Sequence, residues 1–254
     1  MAGNPYEKRA LLNQYLHFHY AKPEEFLPYP FGPTDALDYA VRLVTDCMDV
    51  SRLSVRSRGL DLGCAVGRSS FELARHCGEV LGVDLSRTFI KAAKLLQSGN
   101  PVAYETPDEG TLTTPRVARA PEGVDASRVS FEVGDALKLR EDIGTFDVLL
   151  MANLLDRLPD PRRLLARLPS LVKARGQLVI TSPFTWLPEY TPRAKWLGGM
   201  KRGGRALHTF DTLQGSLSKD FTLARRLDVP LLIRDHVRKY QWSVADATVW
   251  ERKS

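Results

Sequence analysis

Residues 59 to 71 read G-L-D-L-G-C-A-V-G-R-S-S-F, a short apolar run that reaches Asp61, stops at Gly63 and turns helical in pattern after Gly67. That order predicts a strand, a tight glycine turn and a helix. Glycine at 63 permits a positive φ and lets a ligand approach bare main chain, while the helix start offers unpaired N–H groups to the same spot. The pattern is D-x-G-x-x-x-G, with an acid ahead of the first glycine and no third glycine for a pyrophosphate. A carboxylate there repels phosphate and suits a cationic amino-acid head.

Two further acids stand at comparable places. The run ending at Val83 predicts a second strand, and Asp84 lies about 20 residues past the glycine turn, where an acid ending the second strand of a doubly wound sheet takes ribose hydroxyls. Val129–Val133 predicts a third strand that runs into Gly134, Asp135 and Ala136. Three acids therefore follow three successive strands.

These residues need a scaffold. Phe146–Met151 is apolar nearly throughout, as a central parallel strand is, and Gly176–Thr181 predicts the fifth strand. In an open α/β sheet, ligands sit outside the carboxyl ends of the strands where the strand order reverses. The loops after strands four and five therefore face the ligand, which singles out Asn153, Asp156, Phe184, Trp186 and Tyr190. A sixth strand is predicted near Phe221–Leu227 and a last one from about Tyr240 to Arg252.

Ahead of the first strand, residues 6 to 20 place Leu11, Leu12, Tyr15, Leu16 and His19 at helical spacing. Residues 21 to 33 hold four prolines among Phe26, Tyr29 and Phe31, which predicts a stiff, extended, non-helical path whose aromatics either staple it down or roof a pocket. A helix capped by Thr34 or Asp35 follows. Residues 98 to 127 interrupt the alternation with four more prolines and β-favouring residues on both sides of P-D-E-G, predicting an inserted hairpin. The division expected is an N-terminal cap over the site, 1–57, and a core, 58–254.

The register of acids and glycines resembles that of class I S-adenosylmethionine-dependent methyltransferases. The resemblance implies an α/β, Rossmann-like fold with a seven-stranded, mostly parallel sheet, an antiparallel last strand and helices on both faces. It also implies S-adenosylmethionine as cofactor and S-adenosylhomocysteine as product. Asp61, Gly63, Cys64, Ala65 and Gly67 would hold the methionine part, Asp84 and Leu85 the ribose, Asp135 and Ala136 the adenine, and Asn153 would lie near the methyl.

A closer resemblance covers most of the chain. The runs Y-L-H-F-H-Y, L-P-Y-P-F-G-P, A-N-L-L-D-R-L-P-D-P, T-S-P-F-T-W-L and R-K-Y-Q-W-S-V-A-D-A-T-V-W look like those of the 5-thiohistidine (4-mercaptohistidine) N1-methyltransferases of ovothiol biosynthesis. N-L-L-D-R is also similar to the protein-histidine N-methyltransferases. What this implies is methyl transfer to an imidazole nitrogen, with Asn153 or Asp156 accepting from the distal ring N–H. Phe184, Trp186, Tyr190 and Tyr240 would wall the ring, with Tyr15, His19 and Phe31 on the same side, and Arg234 or a basic neighbour would take a carboxylate. His17 and His19, at i and i+2, point apart on a helix and read as structural. The family acts alone or fused to a sulfoxide synthase.

Composition narrows the rest. The chain has 254 residues, 43% of them hydrophobic, enough for one elaborated domain. No apolar run approaches the length of about 20 residues that crosses a bilayer, so no membrane role and a cytoplasmic location are expected. The net charge of +6 raises nucleic acid as a partner, but the basic residues are scattered, so a small-molecule substrate is expected instead of RNA or DNA. The alternative is a non-catalytic cofactor- or RNA-binding module. Three cysteines without C-x-x-C spacing support neither a disulfide framework nor a metal site.

Overall fold

The structure, a computed structural model, describes residues 5–254. In chain order the elements are α1 (Arg9–Tyr20), α2 (Pro23–Phe26), α3 (Tyr39–Thr45), β1 (Arg58–Leu62), α4 (Arg68–Leu73), β2 (Glu79–Asp84), α5 (Arg87–Gln97), β3 (Val102–Glu109), β4 (Leu112–Ala118) and β5 (Val129–Val133). Then come β6 (Phe146–Ala152), α6 (Pro161–Leu171), β7 (Val172–Ser182), β8 (Met200–Arg202), β9 (Arg205–Leu207), α7 (Thr209–Leu217), β10 (Phe221–His236) and β11 (Lys239–Arg252).

Seven strands form the main sheet in the order β10-β11-β7-β6-β1-β2-β5. The five strands from β7 to β5 run parallel, while β11 enters antiparallel to β7 and pairs antiparallel with β10. The chain moves outward from β1 through β2 to β5, then returns to lay β6 and β7 on the other side. The order therefore reverses between β1 and β6, and the crevice opens at their carboxyl ends.

Period-two side-chain alternation gives each face its own core. Val148 and Leu150 of β6 pack with α1, α3, α4 and α5, whereas Leu149 and Met151 pack with α6 and α7. Leu12 and Leu16 of α1 and Leu43 of α3 belong to the same cluster as Val148 and Val179 of the sheet, so the cap at 1–57 shares its core with the rest of the chain. The inserted hairpin is β3 and β4. It is tied to the cap through Arg9 Nη2 to the Ala103 carbonyl at 3.0 Å and Arg116 to Glu25 at 3.0 Å.

Several expectations are corrected. Residues 21 to 33 are not wholly extended: Pro23 takes the first helical position, where its missing N–H costs nothing, and the Lys22 N–H donates to Glu25 Oε2 at 3.3 Å, closing the single turn of α2. The helix expected from Thr34 is a 3-10 turn at 34–36, and Asp38 at φ 52° breaks the path before α3 begins at Tyr39. β10 extends nine residues past Leu227, to His236, because the long β11 offers a continuous partner. α7 lies in a stretch for which no helix was expected.

Candidate functional site

The carboxyl ends of β1, β2, β5 and β6 enclose a cavity of about 260 Å³. Its floor is the glycine turn. Gly63 and Gly67 have φ of 82° and 88°, and a Cβ at Gly67 would come within 2.5 Å of the Phe131 ring, so only glycine fits there. Gly63 N and Cys64 N donate to the Val83 carbonyl at 2.8 and 3.1 Å, which fastens the turn to the end of β2.

The three strand-end acids are held differently. Asp84 accepts from Ala65 N at 3.0 Å and Ser86 N at 2.8 Å, and burial raises its pKa. Asp135 accepts from Leu137 N at 2.9 Å. Both line the cavity, and a carboxylate offers about four lone-pair sites, so each keeps acceptor capacity for a ligand. Asp61 is 1% exposed and does not line the cavity. Its Oδ2 takes the hydroxyls of Ser69 and Ser70, each at 2.7 Å, and Ser69 is what reaches the cavity. Burial, against those two bonds, pushes the Asp61 carboxyl up to about 6. Its Oδ1 has no hydrogen-bond partner among the described residues.

This donor set fits S-adenosylmethionine. Two carboxylates with spare lone pairs, able to accept from hydroxyl and amino groups, line the cavity together with bare main chain at 63 to 65. Leu85 and Ala136 supply apolar contact. Gly67 shapes the turn without lining the cavity.

The roof comes from the N-terminal elements, with Tyr6, Tyr15, Phe18, His19 and Tyr39 lining it. Glu7 anchors this roof by accepting from Arg87 N at 2.8 Å and Thr88 N at 3.2 Å, at the start of α5. Burial drives His19 down to about 3 and pushes Tyr15 up to about 12, so both are neutral near pH 7.

Asn153 closes the end of β6 with φ of 50°, a strained value for a non-glycine residue. Its Oδ1 accepts from the Tyr39 hydroxyl at 3.1 Å and the Thr181 hydroxyl at 3.2 Å, and those hydroxyls lie 2.8 Å apart. Turning the amide over would leave one buried hydroxyl proton without an acceptor, so the network fixes Oδ1 inward and presents Nδ2 to the cavity. Asn153 thus lines the cavity with its amide oxygen already engaged by the protein's own hydroxyls.

Asp156 is 0% exposed and lines no part of the cavity. Burial raises its pKa and the neighbouring Arg157 opposes the rise, through Nη1 at 3.0 Å from Oδ2. Arg157, absent from the sequence-derived site, lines the cavity instead.

The expected aromatic wall is largely elsewhere. Trp186 donates to Thr209 Oγ1 at 2.9 Å inside the second core, and Phe184 packs on that core. Tyr240 donates to the Phe26 carbonyl at 3.1 Å, and Phe31 is 69% exposed against Tyr29. Tyr190 stays near the site, 4.8 Å beneath the Arg157 guanidinium and 6.5 Å from Tyr6. Arg234 lines a separate hollow of about 460 Å³ across α1. There it donates to the Glu25 carbonyl at 2.9 Å and lies 3.6 Å from Asp108, joining cap, hairpin and β10. Of the expected acceptor residues, Tyr15, His19 and Asn153 line the cavity. Tyr6, Phe18, Tyr39, Ser69, Phe89, Leu231 and Ile233 were not anticipated, although the aromatic spacing of residues 6 to 20 carried the signal for the first two.

Residues 60–180 match the family described as a methyltransferase domain. Ubiquinone biosynthesis O-methyltransferases are similar over about half the chain. That of Coxiella burnetii (strain RSA 493 / Nine Mile phase I) is 27% identical over 123 residues, 48% of this chain and 42% of that protein. That of Ralstonia nicotianae is 30% identical over 127 residues, 49% of this chain and 42% of that protein. The match thus spans less than half the length of these relatives.

Among solved structures, the N-methyltransferase NodS of Bradyrhizobium japonicum WM9 in complex with S-adenosyl-L-homocysteine is similar with a TM-score of 0.55 and 18% identity, over 96% of this chain and 99% of that one. Magnesium protoporphyrin IX methyltransferase of Synechocystis PCC 6803 with bound SAM gives 0.50 and 16%, over 84% and 76%. At these identities the likeness is one of fold. The chain has the class I methyltransferase fold, and residues 60–180, just under half of it, match the methyltransferase-domain family.

Proposed function

We propose that the protein transfers a methyl group from S-adenosylmethionine to the imidazole N1 nitrogen of 5-thiohistidine. When bound, the cosubstrate supplies a methyl on a sulfonium centre that is already strongly electrophilic. Asp84, Asp135 and the main chain at 63 to 65 hold it; the Tyr39–Asn153–Thr181 group, His19 and Ile233 bound the acceptor side.

The observation that carries this reading is the polarity of the loop after β6. Asn153 Oδ1 is taken by two hydroxyls, and Asp156, which holds Arg157 through Oδ2, lines no part of the cavity, so neither serves as a base on the acceptor side. His19 and Tyr15 are neutral and poor bases. Such a loop suits an acceptor that brings its own lone pair. With the thiolate form of 5-thiohistidine, the ring nitrogen forms the N–C bond as the S–CH3 bond breaks, giving a net neutral imidazolium thiolate with no proton to remove. Asn153 Nδ2 would hydrogen-bond the electron-rich ligand and help aim nitrogen, not sulfur, at the methyl.

The ubiquinone-pathway relatives favour a second reading, O-methylation of a phenol. A phenol must lose its proton to become a good nucleophile, and burial lowers His19, the imidazole that lines the cavity, to about 3, which makes it a weak acceptor for that proton. Mass spectrometry of reactions containing S-adenosylmethionine with 5-thiohistidine, a catechol or a histidine-containing peptide separates the readings. A gain of one methyl on 5-thiohistidine alone is expected; methylation of the catechol or peptide in its place overturns the proposal.

A further inference from the structure

We propose that Arg157 reads a carboxylate on the acceptor, making the acceptor an α-amino acid or another small carboxylic acid. This deepens the reading above and rests on its placement of the acceptor beside Asn153.

Arg157 is the one cationic side chain among the described residues that line the cavity. Its guanidinium is fixed before any ligand arrives. Nη1 donates to Asp156 Oδ2 at 3.0 Å, to the Asp156 carbonyl at 3.1 Å and to the Thr185 carbonyl at 3.1 Å, while the Tyr190 ring lies 4.8 Å from the guanidinium carbon. All three bonds fall on Nη1. Nε and Nη2 make none of them, and the Tyr6 hydroxyl at the cavity roof takes a hydrogen bond from the group.

A guanidinium has five N–H donors, so with the two of Nη1 engaged and one given to Tyr6, two remain, the number that receives a carboxylate through two bonds. Charge points the same way. Asp156 lies wholly on the protein side, and the cavity acids Asp84 and Asp135 are engaged with main-chain N–H groups and form no ion pair with Arg157. The guanidinium, its side chain 26% exposed, therefore keeps attraction for an anion on the cavity side. Arg234, the residue first expected in this role, is committed to main-chain carbonyls across α1.

The test is titration calorimetry on the S-adenosylhomocysteine-loaded protein with two ligands, 5-thiohistidine and its decarboxylated counterpart 5-thiohistamine. Wild type should bind the acid about 30-fold more tightly than the amine, as one charge-assisted pair implies. Arg157→Gln should remove most of that preference, leave amine affinity and S-adenosylhomocysteine affinity within about twofold, and Arg157→Lys should restore part of it. Equal binding of acid and amine by wild type, which needs no variant to fold, overturns the assignment. So does an equal loss of S-adenosylhomocysteine affinity in Arg157→Gln, which would give the guanidinium to the cosubstrate's own carboxylate. If the acid binds with the expected preference but its ring nitrogen is not methylated, the proposed function fails while the carboxylate site stands.

Discussion

The Tyr39 hydroxyl lies 3.1 Å from Asn153 Oδ1 and donates to it, joining the first residue of α3 to the residue that follows β6. Thr181, buried at the end of β7, completes the triangle. A residue 114 positions earlier in the chain thus helps hold an amide that lines the cavity.

Tyr39→Phe removes one of the two hydroxyls that hold this amide. Loss of one such bond is worth roughly 1 kcal/mol, so kcat/KM should fall about fivefold, with S-adenosylhomocysteine affinity nearly unchanged. Tyr39→Phe with Thr181→Val frees the amide to turn and should cost more than the sum of the single changes. Steady-state kinetics of the three variants checks this; additive effects would mean the hydroxyls do not act on one group.

Asp84→Asn keeps the shape and removes the charge. If Asp84 accepts from ribose hydroxyls, affinity for S-adenosylhomocysteine should drop on the order of tenfold to a hundredfold, measured by calorimetry. An unchanged affinity would put the nucleoside somewhere else.

Acid stability should be governed by opposing groups. His17, 2% exposed and stacked on Phe26, is driven by burial down to about 3. The folded protein therefore binds fewer protons there than the unfolded chain, and stability is lost as pH falls from about 6.5 toward 3, by up to about 1.4 kcal/mol per pH unit. Asp61, raised to about 6, acts in the opposite direction, adding stability as pH falls from about 6 to 4. His17→Phe should flatten the acid side of a urea-midpoint profile, whereas Asp61→Asn should steepen it. Unaltered profiles in both variants would remove these groups as the cause.

Arg234→Met takes a charge from a site where it ties Glu25, Phe26 and Asp108 together. Removing one partner of such a buried network should destabilise by roughly 3 kcal/mol, read as a lowered Tm. Turnover per folded molecule should stay near wild type, because the guanidinium lies across α1 from the cavity. A large loss of kcat with intact stability would return Arg234 to the acceptor.

Much of this architecture was legible from local pattern. β5 falls at the bounds its apolar run predicted, and the acids at 61, 84 and 135 are found at strand ends because a parallel sheet puts its ligand loops there. That Asp61 is covered by two serines on Oδ2 was not legible, because those serines come from the next helix. Arg234 was expected at the carboxylate from resemblance alone, and only the pairing of β10 with β11 carries it to the far side of α1. Tyr39 was invisible as a site residue because the break at Asp38, a single left-handed residue, sets the rotation of α3. Trp186 entered the second core through contact with Thr209, 23 residues away, which no local periodicity encodes.

Position of the transferred methyl is the most direct test of the proposed chemistry. With S-adenosylmethionine carrying a 13C-labelled methyl and 5-thiohistidine as acceptor, carbon–proton correlation NMR should give one product, the methyl on the ring nitrogen next to the side-chain carbon. A labelled methyl on sulfur, on the other ring nitrogen, or on no product at all would contradict it.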